Sequence, residues 1–592
     1  MIQDFDILIC GGKVLDGTGA DSFSADIGIS GDEITTIGDL TNCNAGRTID
    51  ASGRYVVPGF IDMHTHAERG LPQPELAPSD HYLLQGVTSV VGGADGYGAW
   101  PIHSSMTELT EKLNAQGIGT NAGLMVGLGQ VRRQVIGPYQ DEPTFSDRQE
   151  MISRIRHAME SGAIGISSGL VFAPDRYFDT DGIVEMVKEV VPFGGIYHTH
   201  VRDEADHLIE SVKEAIEISD RSGATTVVTH FKAIYKRNWG KLRQATDLIE
   251  KARSRGLKVY ADQFPFLEGG PVPLVPANIW LGGADEIDER TKRIASTLKR
   301  LKDHELLRLR TELVGIPPGQ KETEFWKEKP EILCQAIAEA LSQAMPSKGA
   351  GLFAVASWYG MHQGPDNPGT RAAFFARLTD SNEASEIISR VAAYIDDLGG
   401  PDNIIIFGTS RTRLELSTLT DAAVNLGETE VGAAIKLALE GAHGIVTLHS
   451  EDDVEYAMRK DFVATGSDGD YPYFGTTTGN LGAPQSIRAY STFATKLGKY
   501  VFERGTITLP HAVRAATSLP ANILGWSNRG ILQEGYRADI VVFDPSAVKA
   551  CSDLSYPHQY SKGFEHVLVN GQGAVEGGVR TKVLAGEVIG IG

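Results

Sequence analysis

Residues 57–66 have the sequence VPGFIDMHTH, an apolar run that ends in a His-x-His pair. Alternate side chains of a β-strand point to the same face, so His64 and His66 can reach one ion together. In barrel enzymes the active site lies at the carboxyl ends of the strands, which is where this pair falls. The pair predicts a metal site at the end of a first barrel strand. Taken alone, it is equally compatible with a polar loop that carries two histidines.

Strand-like runs alternate with helical patterns through the middle of the chain. The apolar runs span residues 56–63, 87–92, 120–126, 163–167, 195–200, 225–230, 258–262 and 462–467. Most are separated by helical patterns, such as those at 206–222 and 240–255. This alternation predicts an α/β fold, a (β/α)8 barrel of the TIM type.

The two ends of the chain are rich in short β-type runs instead, such as DILIC at 6–10 and HVLVN at 566–570. We expect residues 1–57 and 526–592 to build one small β-sandwich, and residues 58–525 to form the barrel. A charged, helical stretch at 276–403 breaks the alternation and is predicted to be an insertion between barrel strands seven and eight. Its segment WYGMHQG at 358–364 suggests a lid.

Composition excludes several classes of protein. The 592 residues include 55 Lys and Arg against 76 Asp and Glu, a formal charge of −21, which argues against nucleic acid and anionic membrane as main partners. The chain exceeds the roughly 250–300 residues of one core, so more than one domain is expected. The four cysteines are far apart, and neither a signal peptide nor a membrane-spanning run is evident. We therefore expect a cytoplasmic protein.

Three more metal-type residues lie at the ends of other predicted strands. His200 ends GGIYHTH, His230 ends TTVVTH, and Asp468 follows DFVATGS. Imidazole and carboxylate groups suit zinc and similar divalent ions. Their recurrence on separate strands favours a metal centre over core packing. His198 is interpreted as a supporting or core residue rather than a ligand.

Together these motifs resemble the amidohydrolase superfamily, and within it the N-acyl-D-amino-acid deacylase (D-aminoacylase) group. The resemblance covers nearly the whole chain and implies a metal-bearing barrel with a small β-sandwich made from both chain ends. The matching stretches are GVTSVV (86–91), GAIGISSGL (162–170), THVRDE (199–204), VVTHFK (227–232), SEDDVEYAM (450–458), TGSDG (465–469), ATSLPANILG (516–525) and RGILQEGYRADIVVFDP (529–545).

The resemblance also implies roles for individual residues. His200 and His230 would hold a tightly bound zinc, with a second, weaker metal position beside His64 and His66. Asp468 would be the general base that takes a proton from the attacking water and returns it to the leaving amine. Lys232 corresponds to a lysine that helps to hold the substrate carboxylate in the deacylases; the alternative is a solvated surface lysine.

The metal bridge is the first departure from the deacylases. A cysteine follows their second strand, whereas this chain has GGADG at 92–96, so Asp95 is the candidate bridging ligand. The alternative is an Asp-Gly turn without metal contact. Strand four, GISSG at 165–169, has neither the lysine nor the glutamate that other amidohydrolases use. As a harder ligand than thiolate, aspartate would shift metal preference or favour two ions.

The second departure concerns the substrate. The deacylases carry a His-Pro-Arg element after the catalytic aspartate, but this chain has DYPYFG at 470–475. Tyr473 is therefore a candidate substrate contact, and a more apolar or aromatic substrate is plausible. Arg202, or the pair Arg411 and Arg413, is a candidate anion site, with surface ion pairs as the alternative.

The sequence thus predicts a metal-dependent hydrolase of carbon–nitrogen bonds other than ordinary peptide bonds. The favoured reaction is deacylation of an N-acyl (D-)amino acid or a related small-molecule amide, with one or two zinc or other divalent ions. Hydrolysis of a cyclic amide, lactone or unusual dipeptide is the enzymatic alternative, and a non-catalytic scaffold is a third. Oligomeric state is left open, and a homo-oligomer is compatible with the sequence.

Overall fold

The computed structural model describes residues 4–98, 106–136, 142–172, 174–275, 377–407, 416–440, 442–470 and 484–591, with a few further positions between 276 and 376. The predicted lid at 358–364, Arg411, Arg413 and Tyr473 lie outside the described residues.

Short strands and helices follow one another along the described chain. The strands are β1 (Asp4–Cys10), β2 (Lys13–Val14), β3 (Phe23–Ser24), β4 (Asp26–Ser30), β5 (Glu33–Gly38), β6 (Asn44–Asp50), β7 (Tyr55–Pro58), β8 (Phe60–Asp62), β9 (Val87–Gly92), β10 (Asn121–Leu124), β11 (Val126–Gly127), β12 (Gly165–Gly169), β13 (Ile196–His200), β14 (Thr225–Val228), β15 (Val259–Gln263), β16 (Glu268–Pro273), β17 (Ile404–Phe407), β18 (Ser417–Thr418), β19 (His443–Thr447), β20 (Val463–Thr465), β21 (Ile540–Phe543), β22 (Phe564–Val569), β23 (Gln572–Glu576) and β24 (Val579–Arg580). The helices are α1 (Asp80–Leu83), α2 (Met106–Gln116), α3 (Leu128–Val135), α4 (Phe145–Glu160), α5 (Thr180–Val187), α6 (Leu208–Ser222), α7 (Lys241–Ser254), α8 (Ser381–Asp397), α9 (Leu419–Leu426), α10 (Glu430–Leu439), α11 (Glu451–Met458), α12 (Pro484–Thr495), α13 (Leu509–Ala516) and α14 (Ser518–Leu524), and a π-helix spans Lys496–Glu503.

Parallel strands form the predicted barrel. One run pairs β8 with β9 and β9 with β10, and a second runs from β11 through β12, β13, β14 and β15 to β20. Strands β10 and β11 are two parts of one barrel strand, interrupted at Met125. The ring closes between the last and first strands, where the Met63 amide donates to the Thr465 carbonyl at 3.1 Å and Thr65 pairs with Gly469. The barrel prediction is confirmed.

Both chain ends build a β-sandwich. One sheet has the order β5-β4-β1-β6, and the other has the order β24-β23-β22-β21-β7-β2-β3. Strand β21 lies antiparallel between β7 and β22, so segments from both ends share one sheet. Buried Ile7, Ile29 and Ile540 belong to the apolar core that the two sheets share. The composite sandwich is thereby confirmed, while the bounds 1–57, 526–592 and 58–525 stay predictions.

A small antiparallel sheet lies in the chain between barrel strands β15 and β20. Its order is β16-β19-β17-β18, and helices α8, α9 and α10 occur in the same stretch. All four of its strands lie outside residues 276–403, because β16 ends at Pro273 and the other three begin at Ile404 or later. The predicted insertion bounds stay a prediction, and the sheet extends past them on both sides.

Local hydrogen bonds fix the helix ends. Thr144 begins α4 with a capping box in which its side chain and that of Asp147 bind each other's backbone amides. Gly223 ends α6 at a φ of 79°, a conformation that favours glycine.

No described helix has the length and apolarity needed to cross a bilayer.

Candidate metal centre

The carboxyl ends of the barrel strands bring the predicted ligands together in one cluster. Each lies at the end of its strand or in the segment that follows, and all are buried except Asp468, which is slightly more exposed. The cluster consists of His64, His66, Asp95, His200, His230 and Asp468.

Asp95 lies between two sets of histidines. Its Oδ2 is 3.5 Å from His64 Nε2 and 3.7 Å from His66 Nε2. Its Oδ1 is 3.9 Å from His200 Nδ1 and 3.8 Å from His230 Nε2. Because each carboxylate oxygen faces a different pair, the placement fits a bridging ligand and not a surface turn.

Asp468 completes the first set. Its Oδ1 is 3.4 Å from His66 Nε2 and 3.6 Å from His64 Nε2. One atom from each of His64, His66, Asp95 and Asp468 lies within 4.8 Å of the others, and the same holds for Asp95, His200 and His230. Two adjacent ligand groups therefore share Asp95.

Several polar atoms of the cluster are buried without a hydrogen-bond partner. They include His64 Nε2, Asp95 Oδ1 and His200 Nδ1. Burying such groups unpaired costs about 1–3 kcal/mol each. Imidazole nitrogen and carboxylate oxygen are the donors that zinc accepts, so divalent ions at these two positions fit the residues present.

Asp262, just inside the end of β15, orients the histidines from behind. Its Oδ1 lies 3.2 Å from His64 Nδ1 and accepts the His230 amide at 2.7 Å, and its Oδ2 lies 3.0 Å from His198 Nε2. A His64 Nδ1–H that donates to Asp262 leaves Nε2 free to bind a metal. His198 thus contacts Asp262, as expected of a supporting residue.

Glu204 orients the other two histidines, His200 and His230, as Asp262 orients His64. Its Oε1 lies 2.8 Å from His230 Nδ1, and its Oε2 lies 3.5 Å from His200 Nε2. Lys232 donates to Glu204 Oε1 at 2.5 Å and lies 2.6 Å from His230 Nδ1. With only 12% of its side chain exposed, Lys232 belongs to the site and not to the solvated surface.

Arg202 makes a different set of contacts. Its guanidinium donates to Glu214 at 2.8 Å and to the carbonyls of Phe178 and Arg176. These contacts are those of a structural ion pair, so they give no support to the predicted anion site, which stays a prediction.

Electrostatics indicate a site built around positive charge. Burial opposes protonation of His66, but hydrogen bonds with Asp468 and Glu68 raise its pKa to about 9. Burial likewise raises the pKa of Asp95, yet the neighbouring His64 and His230 hold it well below its ordinary range. Against the effect of burial, Asp262 and Asp95 raise the pKa of His64, whereas burial lowers the pKa of His200 to about 3. Without metal, protons on His64 and His66 balance part of the carboxylate charge, and a bound cation would replace those protons.

The backbone is strained at the same place. Three ligand candidates have a left-handed φ: Asp95 (55°), His230 (33°) and Asp468 (49°). Such conformations cost of order 1–3 kcal/mol and cluster at functional sites. Ser167 of β12 fixes the Asp95 loop by donating to the Gly93 carbonyl at 2.5 Å. Strand four thus supplies a loop anchor in place of a metal ligand.

Some residues of the site were not predicted. Asp262 ends an apolar run and Glu204 ends the motif THVRDE, so both carried a usable sequence signal. Arg488, whose Nη2 lies 2.9 Å from Asp468 Oδ2, carried none because it lies within helix α12, far from any strand end.

Comparisons with known proteins agree with this geometry. A model described as "Amidohydrolase family" matches residues 47–112 and 457–575. The D-aminoacylase of Alcaligenes xylosoxydans xylosoxydans is 26% identical, over 96% of this chain and 94% of the relative. The N-acyl-D-glutamate deacylase of the same organism is also 26% identical, with the same coverage. The chain resembles the D-aminoacylases of the amidohydrolase superfamily. The resemblance inferred from sequence is thereby confirmed.

Solved structures extend the likeness. A D-aminoacylase with a binuclear metal centre superposes with a TM-score of 0.68 at 25% identity, over 99% of this chain and 100% of the other. The N-acyl-D-glutamate deacylase of Bordetella bronchiseptica, in complex with zinc and a phosphonate inhibitor, superposes with a TM-score of 0.67 at 24% identity, over the same shares. At 24% identity, the likeness to the N-acyl-D-glutamate deacylase structure shows the fold alone.

Proposed function

We propose that this protein is a zinc-dependent amidohydrolase that deacylates an N-acyl amino acid, with the D enantiomer favoured. The observation that carries the proposal is Asp95, whose two oxygens face two histidine pairs beside Asp468. The full ligand set argues against a scaffold that has lost catalysis. Two relatives that match most of the chain are D-aminoacylase and N-acyl-D-glutamate deacylase.

The residues divide the reaction between them. His64, His66, His200, His230 and Asp95 would hold the ions. When bound, divalent ions lower the pKa of a water and polarise the scissile carbonyl. Asp468 Oδ1 faces the same space and would accept the proton of the attacking water, then deliver it to the leaving nitrogen.

The surroundings of the cluster suit an N-acyl amino acid. Lys232 supplies a cation beside His230 for a substrate carboxylate. Aromatic rings offer an apolar wall for an acyl chain: Phe172 lies 5.0 Å from the His200 ring, and Tyr97 lies 6.0 Å from the His66 ring, both measured between centroids. Cytoplasmic location and a homo-oligomeric state stay predictions.

A substrate panel tests the proposal. The zinc-loaded protein should release free amino acid from N-acyl-D-amino acids faster than from their L enantiomers, in an assay for primary amine. Isoaspartyl dipeptides, hydantoins and lactones serve as the competing classes. Turnover confined to one of these classes, with no N-acyl amino acid hydrolysed, would reject the proposal.

Metal content separates enzyme from scaffold. After expression with zinc, elemental analysis should find about one or two ions per chain. A value below about one tenth of an ion per chain, with no activity in the panel, would favour the scaffold.

A further inference from the structure

Helix α12 places an arginine against the residue assigned as general base. Arg488 Nη2 lies 2.9 Å from Asp468 Oδ2 and donates to the Asp468 backbone carbonyl at 3.2 Å. Only 8% of the Arg488 side chain is exposed. We propose that Arg488 is a positioning residue that holds Asp468 for proton transfer, an inference that rests on the proposed deacylation.

The two oxygens of Asp468 face different partners. Oδ2 forms an ion pair with Arg488, whereas Oδ1 faces His64 and His66 and hence the site of the attacking water. An ion pair to the side chain and a hydrogen bond to the backbone, both from Arg488 Nη2, hold both the rotamer and the left-handed φ of Asp468. A permanent positive charge at this distance also favours the ionised carboxylate, which is the form that accepts a proton.

The arginine comes from a rigid support. A Cβ on Gly469 would lie 2.8 Å from Ala489 Cα, so the turn after Asp468 touches the backbone of α12 directly. Buried Gln85 holds the helix at two points, because its Nε2 donates to the Ala489 carbonyl at 2.6 Å and its Oε1 accepts the Phe493 amide at 3.0 Å. Helix α12 is therefore held in place against the turn that carries Asp468.

The guanidinium plane is fixed as well. The Arg488 Cζ lies 4.4 Å from the centroid of the Phe264 ring, which follows β15 and is buried. A stacked guanidinium loses little entropy when it pairs with a carboxylate. Phe264 thus restricts Arg488 to the orientation in which Nη2 meets Asp468.

Substrate binding is the competing role for this arginine. The resemblance implies an arginine shortly after the catalytic aspartate, which this chain lacks, and Arg488 is the buried arginine that could take its place. The contacts favour positioning, since the ion pair and the hydrogen bond of Arg488 to described residues both end on Asp468 and its side chain is almost fully buried.

Steady-state kinetics on Arg488→Met and Arg488→Lys distinguish the two roles, with exposed Arg459→Met as the control. Arg488→Met should lower kcat roughly 10–100-fold, as is typical when a residue that supports a site side chain from behind is lost. KM and zinc content should stay nearly unchanged. Arg488→Lys should recover part of kcat, because the ammonium keeps the positive charge that pairs with the Asp468 carboxylate. Added guanidinium ion should raise kcat of Arg488→Met and leave Arg459→Met unaffected.

A rise in KM with kcat preserved would overturn the inference in favour of substrate binding, and wild-type kinetics in Arg488→Met would overturn it outright. A crystal structure of zinc-loaded Arg488→Met gives a readout without turnover. Asp468 should leave its rotamer or its left-handed φ there, and an unmoved Asp468 would reject the inference. If the wild type hydrolyses no N-acyl amino acid, the proposed function fails, while the crystal structure still decides the role of Arg488.

Discussion

At the scale of single residues, the position of Asp95 lets one side chain face two pairs of histidines. A carboxylate has two oxygens, and here each faces its own pair at 3.5–3.9 Å. The resemblance to the deacylases leads one to expect a cysteine at this place, and this chain has a carboxylate instead. Because oxygen is the harder ligand, the replacement is expected to shift metal preference away from soft ions.

Substitution of Asp95 tests the bridge. Asp95→Ala removes a ligand from both groups and should lower metal content, measured by elemental analysis after dialysis against buffer of fixed zinc concentration. Exposed Asp181→Ala is the matched control and should bind metal as the wild type does. Unchanged stoichiometry in Asp95→Ala would show that this residue forms only a turn.

Asp468→Asn tests the proton shuttle. The amide keeps the shape of the side chain but cannot accept a proton, so kcat should fall roughly 10²–10⁴-fold. Zinc content should stay near that of the wild type, because histidines and Asp95 remain. Exposed Asp461→Asn, in the turn just before β20, is the control, and near-normal activity in Asp468→Asn would refute the role.

Metal affinity should depend on pH. His66, with its pKa raised to about 9, is protonated at neutral pH in the metal-free protein, and a metal must displace that proton. Affinity is therefore expected to fall as pH drops below 9, roughly tenfold per unit for each proton displaced. Calorimetric titration with zinc in buffers of different ionisation enthalpy counts the protons, and a pH-independent affinity would contradict the expectation.

At the scale of elements, the ligands lie just beyond the strands. Strand β8 ends at Asp62, so His64 and His66 follow it and are not part of it. Both rings face Asp95 and Asp468, as the period-two argument expects, although the chain is held there by the bridge from Thr65 to Gly469 and not by a full strand. Likewise β14 ends at Val228, and the left-handed φ of His230 turns its ring toward Asp95.

The loop that carries Asp95 depends on a glycine. Gly96 has a φ of 76°, and a Cβ there would lie 1.9 Å from Asp175 Oδ2. Gly96→Ala must therefore shift the loop, and we expect lower zinc content together with a lower Tm. Gly31→Ala is the control, since its φ of 63° imposes the same backbone strain with nothing within 4 Å. Equal losses in both variants would show that packing at Gly96 is unimportant.

At the scale of the whole molecule, a buried polar network joins the barrel to the sandwich. Arg529 pairs with Asp539, next to strand β21, and also donates to Asn570 Oδ1 at 2.9 Å. Asn121, at the start of barrel strand β10, donates to Asp539 Oδ2 at 3.1 Å. The Gly59 amide at the entry to the first barrel strand donates to the Asp539 carbonyl at 2.7 Å.

Breaking this network should destabilise the molecule. Arg529→Met leaves the buried Asp539 charge without its cation, and loss of one partner of a buried pair costs about 3–5 kcal/mol. The first unfolding transition in urea should therefore move to lower concentration. Arg221→Met, which breaks the exposed pairs with Asp181 and Glu217, should shift the transition far less, and equal shifts in the two variants would contradict the expectation.

The sequence by itself determined the barrel, the sandwich shared by the chain ends and a candidate site of four histidines and one aspartate at strand ends: His64, His66, His200, His230 and Asp468. These follow from the periodicity of apolar residues and from the position of polar residues at the ends of apolar runs, which are local properties of the chain. Only the tertiary structure decided that Asp95 faces both histidine pairs, that Lys232 is buried against Glu204 and that Arg202 is held by Glu214. It alone brought Arg488 to Asp468, because helix packing, and no sequence motif, sets that distance.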